Sequence, residues 1–419
     1  MDEKRKTRRN TLQNFLIALL SITAALLLVQ LLYVGSDSQS LLDRFLAPSA
    51  AAQTTEAAAL TDLSAPVRVA VTGPYGRYGA LSLATNDKDF SALGGLLREA
   101  LGSAGTPESC AESDFRAALA APGVCYDFCS TLPLSVLSGL VGASSGLSGS
   151  ARRLVLFSAD GRVQLCYADG SAFYRCATAA PLSELSDTVS SYQLGNAAFA
   201  FELDGAANLN PYSLVITGDL PDYPVLAAST PAADTSAILS ALGFNPHTNS
   251  RYTDAGTEVV VDGGRSVRIR ADGVILYQDG DGALPLPGSG GDTLSDADLV
   301  VGCYRLLTSV LGDGGGSAVL CPRSVTRSGG SAVVRFDYQV DGTLVADAAG
   351  LPAAEVTVSG SSVAALRLRV RKYEPTEQTG LLLPLRQTLA IAAAYSGAEL
   401  ELRYTDGGGS SLTAGWVAG

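Results

Sequence analysis

The sequence predicts an α+β protein, with an N-terminal transmembrane helix followed by an extracytoplasmic region of two to three antiparallel-sheet domains that carry helices on one face. Three observations lead to this prediction. A basic head precedes a long uncharged apolar run. Short apolar runs joined by Asp-Gly pairs, which favour the positive-φ turns of hairpins, recur through the rest of the chain. Apolar residues at helical spacing separate these runs.

Residues 1–10 form the basic head, and residues 11–34 form the predicted transmembrane helix. The head carries a net charge of +3, whereas residues 11–36 contain no charged side chain. About 20 apolar residues suffice to cross a bilayer core as a helix. Because basic residues beside a span stay in the cytoplasm, the sequence predicts a single-pass cell-membrane protein with a cytoplasmic N-terminus and an extracytoplasmic bulk.

A cleaved signal peptide is the alternative interpretation of this run. Secretory apolar regions extend over about 7–15 residues and end at a nearby cleavage site with small residues. This run is longer, and the nearest Ala-rich candidate, at 47–52, lies beyond Asp37, Asp43 and Arg44. The uncleaved anchor is therefore favoured.

The 419 residues carry a net charge of −12, so the part after the basic head is more acidic still. An acidic exterior argues against nucleic acid as a partner and against docking on anionic lipid. After the anchor we predict a linker at 35–64, an N-terminal α+β domain at 65–230, a middle α+β unit at 231–290 and a C-terminal α+β domain at 291–419.

In the N-terminal domain, alternation predicts a strand at 67–71. Helical spacing predicts a helix at 89–101, and Ser113 is a residue type that caps a second helix. Residues 142–150, rich in Gly and Ser, predict a loop. Two strands, 154–157 and 163–167, are predicted on either side of the Asp-Gly pair at 160–161. A helix is predicted at 181–192.

The middle and C-terminal units share a loose repeat of helix, strand, Asp-Gly turn and strand. In the middle unit Gly243 terminates the helix, and the predicted elements are 234–242, 258–261, 266–270 and 274–277. The next helix begins at Ser295, with Asp298 completing a variant of the capping box, and ends at Gly312. The remaining predicted elements are strands at 333–338, 340–345, 355–358, 363–373 and 399–404, and a helix that begins near Pro384.

Seven cysteines follow the anchor, and an odd number leaves at least one thiol unpaired. Cys166 and Cys176 flank a hairpin-like stretch and could form a disulfide across it. Cys303 and Cys321 are a second candidate pair.

Three local patterns resemble catalytic or metal sites, but each lacks a required residue. Cys125 and Cys129 have no second ligand pair, so no zinc site is expected. His247, the only histidine, lies in a turn-rich segment, and no G-x-S-x-G elbow accompanies it. The Asp-Gly-Asp-Gly stretch at 279–282 lacks the fifth and twelfth ligands of an EF-hand. We therefore expect no enzyme activity, no metal and no cofactor.

A basic stripe stands out on the predicted surface. Alternation along 366–372 places Leu and Val inward and Arg367, Arg369 and Arg371 outward. One interpretation is a cross-strand ladder with Glu399 and Glu401, and this is favoured. The other is a basic surface that binds a partner.

The predicted anchor also contains polar side chains. Asn14, Ser21 and Thr23 could form hydrogen bonds with a neighbouring helix in the membrane, and they are candidate partner-binding residues.

Several stretches resemble the YycH/YycI family, whose members are single-pass regulators of the YycG (WalK) sensor histidine kinase in Gram-positive bacteria. The stretches that carry the resemblance are the anchor at 12–34, Leu-Gly-Phe-Asn-Pro at 242–246, Tyr-Thr-Asp at 252–254, the strand pair at 265–277, Phe-Asp-Tyr-Gln-Val-Asp-Gly at 336–342 and Leu-Leu-Leu-Pro at 381–384. The resemblance covers mainly the anchor and residues 235–400. Residues 65–230 resemble the N-terminal domain of the family more weakly.

The resemblance implies a non-enzymatic regulator of a sensor histidine kinase of a two-component system that controls cell-envelope homeostasis. It implies contacts through the membrane helix and the extracytoplasmic domains, and it leaves room for a paralogous anchored regulator as a second partner. The alternative class is an extracytoplasmic ligand-binding or envelope-assembly module with a cleft between the two repeated units.

Overall fold

Apolar alternation and Asp-Gly turns build a nine-stranded antiparallel sheet from the first half of the chain. The computed structural model describes residue 60 and residues 63–218, 222–245, 247, 249–280, 282, 284–288 and 294–419. The order of strands in this sheet is β3-β7-β6-β5-β4-β1-β2-β8-β9. Its strands are β1 (Pro66–Thr72), β2 (Tyr78–Ala84), β3 (Glu108–Cys110), β4 (Gly123–Pro133), β5 (Ser150–Ala159), β6 (Arg162–Asp169), β7 (Ala172–Ala177), β8 (Ala197–Phe199) and β9 (Leu214–Ile216).

Helices cover both faces of this sheet, not one face as the sequence predicted. Adjacent residues of a strand point to opposite faces. Val69 therefore packs in one core with three helices, whereas Ala70 packs in another with the fourth. The three helices on the first face are α1 (Ser91–Gly102), α3 (Leu134–Leu140) and α4 (Leu182–Ser191), and the helix on the second face is α2 (Glu112–Ala120).

The second half of the chain forms an eleven-stranded sheet in which β17 and β21 are a parallel pair and the other pairs are antiparallel. The order is β11-β12-β13-β14-β19-β18-β16-β17-β21-β23, and β15 pairs with β16. Its strands are β11 (Ser250–Asp254), β12 (Thr257–Asp262), β13 (Arg265–Ile269), β14 (Val274–Asp279), β15 (Val319–Ser328), β16 (Ser331–Val340), β17 (Thr343–Asp347), β18 (Ala354–Ser359), β19 (Ser362–Arg369), β21 (Leu400–Asp406) and β23 (Ala414–Ala418).

A small third sheet places β10 (Pro224–Ser229) between β20 (Lys372–Thr379) and β22 (Ser411–Leu412). The helices of this half are α5 (Thr235–Ala241), α6 (Asp296–Leu311) and α7 (Leu385–Ala392). Because β14 pairs with β19, the strands of the middle unit and of the C-terminal domain share one sheet. The domain boundaries at 230 and 290 stay predictions.

One hydrophobic core joins the two large sheets. It contains Val67 of β1 together with Val334 of β16 and Leu307 of α6, each fully buried. The described residues all belong to one unit that spans 56–419. The α+β class with antiparallel sheets, predicted from the sequence, is therefore confirmed.

Helix ends show how local sequence sets the elements. The predicted capping box at α6 is confirmed, because the Ser295 side chain accepts a hydrogen bond from the Asp298 backbone N–H, and the Asp298 carboxylate accepts one from the Ser295 backbone N–H. At α2 the predicted cap was wrong. The N-cap is Ala111, whose backbone N–H donates to Asp114, and Ser113 lies inside the helix.

No helix in the described part of the chain is long and apolar enough to cross a membrane. The predicted span at 11–34, with Asn14, Ser21 and Thr23, lies outside the described residues.

Two Asp-Gly turns provide a matched test of how the two sheets fit together. Gly161 and Gly342 have φ angles of 72° and 74°, where a side chain is strained. A Cβ on Gly161 would meet no atom, whereas a Cβ on Gly342 would lie 2.7 Å from the Leu83 carbonyl carbon of the first sheet.

We expect Gly161→Ala to lower the free energy of unfolding by about 1–2 kcal/mol, because only the φ angle opposes it. Gly342→Ala should cost about 1–3 kcal/mol more, since backbone atoms of β2 must also move. Denaturant unfolding of both variants measures the difference. Equal losses would contradict a close contact between this turn and β2.

Candidate functional site

A groove of about 930 Å³ lies between the helix layer and one face of the eleven-stranded sheet. We call it the α5–α6 groove, because the first turn of α5 and the C-terminal end of α6 form its walls. Residues of the middle unit line most of it, and residues of the C-terminal part, among them Leu311, Gly314 and Val370, line the rest. It is therefore a concave site built from both repeated units.

The floor of the groove is apolar. Ile238 of α5, Ile269 of β13, Ile275 of β14 and Val310 of α6 line it, and each is at most 6% exposed. These side chains already belong to the hydrophobic core. An apolar group that enters the groove would therefore bury surface against a rigid, preformed floor.

The rim of the groove is charged with both signs. Arg251 lies 3.7 Å from Glu258 and is half-exposed, and Thr235 Oγ1 donates a hydrogen bond of 2.7 Å to Glu258. Lys372 lies 3.1 Å from Glu374, and the Asp234 carboxylate accepts the backbone N–H of Ala237. Exposed pairs of this kind are weak, so these groups remain able to bond to a ligand.

Strand β11 borders the groove and ends the eleven-stranded sheet. It pairs with β12 in an unbroken register, and none of its five residues is Pro or Gly. Arg251 lies opposite Val260, a core residue, so Arg251 and Thr253 share the groove face. Among the described strands, none pairs with the other edge of β11. Such an edge can add an extended peptide as a further strand.

A buried ion cluster fixes the position of the C-terminal sheet against the first sheet. Arg68, Asp127 and Arg153 lie opposite one another on β1, β4 and β5. Asp127 is 1% exposed, lies 2.8 Å from Arg152 and 3.1 Å from Arg153, and also pairs with Arg68.

The partners on the other sheet are Glu399 and Glu401, at the start of β21. Arg152 pairs with Glu401, and Arg153 pairs with Glu399. Ser213 Oγ donates a further hydrogen bond of 2.8 Å to Glu399. We call these six charged residues the inter-sheet ion cluster: Arg68, Asp127, Arg152, Arg153, Glu399 and Glu401.

The electrostatics of the cluster favour ionised carboxylates. Burial alone would raise the pKa of Asp127, but the positive charges of Arg152, Arg153 and Arg68 outweigh it and hold that pKa well below its usual range. Burial likewise opposes ionisation of Glu399, and Arg153 and Arg152 lower its pKa. Both carboxylates therefore act as structural counter-ions near neutral pH.

The predicted basic stripe is not a continuous outward face. The predicted strand at 363–373 breaks between β19 and β20, at Val370 and Arg371. Arg371 is only 6% exposed, lies 2.9 Å from Asp406 and donates to the Gly409 carbonyl oxygen. Its predicted outward position was wrong, because the break turns the side chain inward.

The other two arginines of the stripe are half-buried. Arg369 pairs with Asp347, and Arg367 donates a hydrogen bond of 2.8 Å to the Pro352 carbonyl oxygen. The predicted ladder partners were wrong as well. Glu399 and Glu401 pair with the first sheet instead, and this long-range pairing leaves no local signal in the sequence. A partner-binding role for Arg367 and Arg369 stays a prediction.

All seven cysteines lie in the described part of the chain and are free thiols. Cys166 and Cys176, the first candidate pair, form no disulfide, because Cys176 lies opposite Leu165 and the two thiols belong to cores on opposite faces. Burial raises the pKa of both Cys125 and Cys129 to about 12, so these thiols stay protonated.

Cys303 and Cys321, the second candidate pair, are both buried and unbonded to each other. His247 is exposed in its loop, where its backbone N–H donates to the Asn245 side chain at 2.9 Å. Among the described residues, no group of three or more His, Cys, Asp or Glu side chains is arranged to hold a metal ion.

No protein-family model, no curated protein and no solved structure matches this chain. The resemblance to the YycH/YycI family therefore depends on the sequence stretches that carry it.

The inter-sheet ion cluster predicts acid-sensitive stability. A carboxylate whose pKa is depressed in the folded state stabilises the fold above its unfolded pKa of about 4, and this contribution is lost as the pH falls through the folded pKa. We expect the free energy of unfolding to fall below about pH 4. Asp127→Asn should cost about 3–5 kcal/mol at pH 7, because it leaves buried guanidinium groups without a counter-ion.

Denaturant titrations between neutral and acidic pH measure both effects. Asp272→Asn is the matched control, since Asp272 pairs with Arg270 at a half-exposed position and should cost less than about 1 kcal/mol. A pH profile with the same slope in Asp127→Asn and wild type would contradict this role of Asp127.

Proposed function

We propose that this chain is a membrane-anchored, non-enzymatic regulator that binds a sensor histidine kinase. The predicted helix at 11–34 contacts the kinase in the membrane, and the α5–α6 groove binds an extracytoplasmic segment of it. The observation that carries the proposal is this groove, with its apolar floor, its charged rim and the β11 edge that pairs with no described strand.

The chemistry of the groove suits a polypeptide better than a highly charged ligand. Its floor takes an apolar side chain, and its rim offers Arg251 and Lys372 beside Glu258. The backbone of β11 can bond an extended segment along the edge that no described strand occupies. A peptide carries apolar side chains, charged side chains and backbone hydrogen-bonding groups together.

The mechanism that we propose is a population shift of the kinase. A bound regulator changes the output of a two-state kinase only by the difference between its affinities for the two states. A rigid regulator discriminates between them best, because it does not adapt to both. The inter-sheet ion cluster and the shared core supply this rigidity.

A second candidate function is an extracytoplasmic ligand-binding or envelope-assembly module. The size of the groove favours it, because about 930 Å³ falls within the range of small-molecule sites. In this case the ligand would be a cell-envelope fragment that carries both apolar and polar groups.

Replacement of residues 12–34 by an unrelated apolar helix should abolish capture of the kinase. Cross-linking of the full-length tagged protein in native membranes, followed by identification of what is captured, measures this. We expect a sensor histidine kinase with the wild type and none with the replaced helix, because the lateral helix contact is lost. Equal capture of the kinase by both proteins would contradict a role for the anchor sequence.

A groove-filling substitution tests the second contact. Ala237 of α5 lines the groove, whereas the adjacent exposed residue Ser236 does not. Ala237→Trp should lower kinase capture about tenfold or more, since a contact worth about 1.4 kcal/mol changes affinity tenfold. Ser236→Trp should leave capture unchanged.

The two candidate functions give different results with Ala237→Trp. If the groove binds an envelope fragment, the substitution abolishes the rise in melting temperature that soluble cell-wall fragments cause, and kinase capture does not change. If neither measurement responds to Ala237→Trp, the groove is not the binding site in either function.

A further inference from the structure

Large apolar side chains are exposed around the C-terminal helix α7. Leu381 is 99% exposed, and Leu383, Ile391 and Tyr395 are each about half-exposed. We call these four residues the α7 patch. They are four of the nine large hydrophobic residues found exposed in the described part of the chain, so the exposure is concentrated here and not scattered singly over the surface.

The patch is the outer side of a helix whose inner side is already packed. Leu389 and Ala392 of α7 are buried in a small core with Val215 and Leu400. Ile391 lies between these two on the sequence but points outward, as the helical period requires. Leu381 and Leu383 precede α7 and Tyr395 follows it, so exposed apolar side chains flank the helix at both ends.

Charged residues are sparse in the segment that carries the patch. Arg386 is the only charged residue between Glu377 and Glu399, in a chain with a net charge of −12. The overall acidity predicts repulsion from an anionic lipid surface, but this stretch contains no carboxylate to repel phosphate groups. The segment itself therefore does not oppose contact with lipid headgroups.

We propose that the α7 patch rests on the surface of the lipid bilayer. Leu and Ile side chains enter the boundary between headgroups and acyl chains, Tyr395 takes the amphipathic position of an interfacial aromatic residue, and Arg386 contacts phosphate. This inference builds on the proposed anchor at 11–34, which keeps the patch near the membrane. Twenty-five residues, 35–59, separate the predicted anchor from Leu60, which is buried in the core, and they reach at most about 90 Å when extended.

A natural probe lies beside the patch. Trp416 is the only tryptophan of the chain, and its indole N–H donates a hydrogen bond of 3.2 Å to the carbonyl oxygen of Leu383. The predicted anchor contains none, so tryptophan fluorescence reports on this region alone. Lipids with brominated acyl chains quench tryptophan only at short range.

The experiment uses the full chain in vesicles of phosphatidylcholine, with either brominated or ordinary acyl chains. We expect the emission of Trp416 to fall in the brominated vesicles. The double variant Leu381→Asp/Ile391→Asp should lose this quenching, because two carboxylates oppose entry into the lipid. Leu351→Asp, at a half-exposed leucine outside the patch, should keep it.

The outcomes separate this inference from the proposed function. Equal emission in the two kinds of vesicle, or quenching that persists in the double variant, overturns the contact with lipid and leaves the anchor unaffected. Extraction of the protein by alkaline carbonate would contradict the anchor instead. In that event, quenching of the extracted protein after it is returned to vesicles still decides whether the patch binds lipid.

Discussion

The pairing of Asp127 with three arginines and, through them, with Glu399 and Glu401 is the interaction on which the arrangement of the two large sheets depends. Asp127, Arg153 and Glu401 are buried and their three partners are mostly so. Burial of an ion costs several kcal/mol, and only the complete set of partners offsets this cost. Any other placement of β21 against β1, β4 and β5 would leave buried charges unpaired. The cluster therefore selects one arrangement of the sheets, while the shared apolar core supplies most of the stabilisation.

Strand β21 connects the inter-sheet ion cluster with the α5–α6 groove. Glu401 lies near its start, in the inter-sheet ion cluster, and Asp406 ends it. Asp406 accepts hydrogen bonds from Arg371 and Tyr373 and so holds the chain where β19 gives way to β20. Val370 and Lys372, on either side of Arg371, line the α5–α6 groove. One strand thus connects the first sheet with the wall of the candidate site.

The sequence correctly predicted those local features that are determined by residues close to each other in the chain. Ser295 and Asp298 cap a helix through their own side chains, and Asp160 and Gly161 form a turn whatever lies around them. It did not predict that Arg371 would be buried, because an alternating pattern cannot show where a strand breaks to meet a distant aspartate. The groove was equally hidden. In the sequence its floor residues look like ordinary core positions. The groove exists only because the helix layer ends beside them.

The topology relates the proposed membrane contact to the proposed binding site. Helix α7 packs beside β23, where Leu385 and Trp416 share one core, and the α5–α6 groove lies beside β11. These strands are at opposite ends of a path of ten paired strands. The sheet between them curves, because Arg371, two residues beyond the end of β19, reaches Asp406 of β21 four steps along the path. Its curvature brings β21 close to the groove wall, yet the α7 patch and the groove share no residue. A partner segment can therefore occupy the groove while α7 contacts the bilayer.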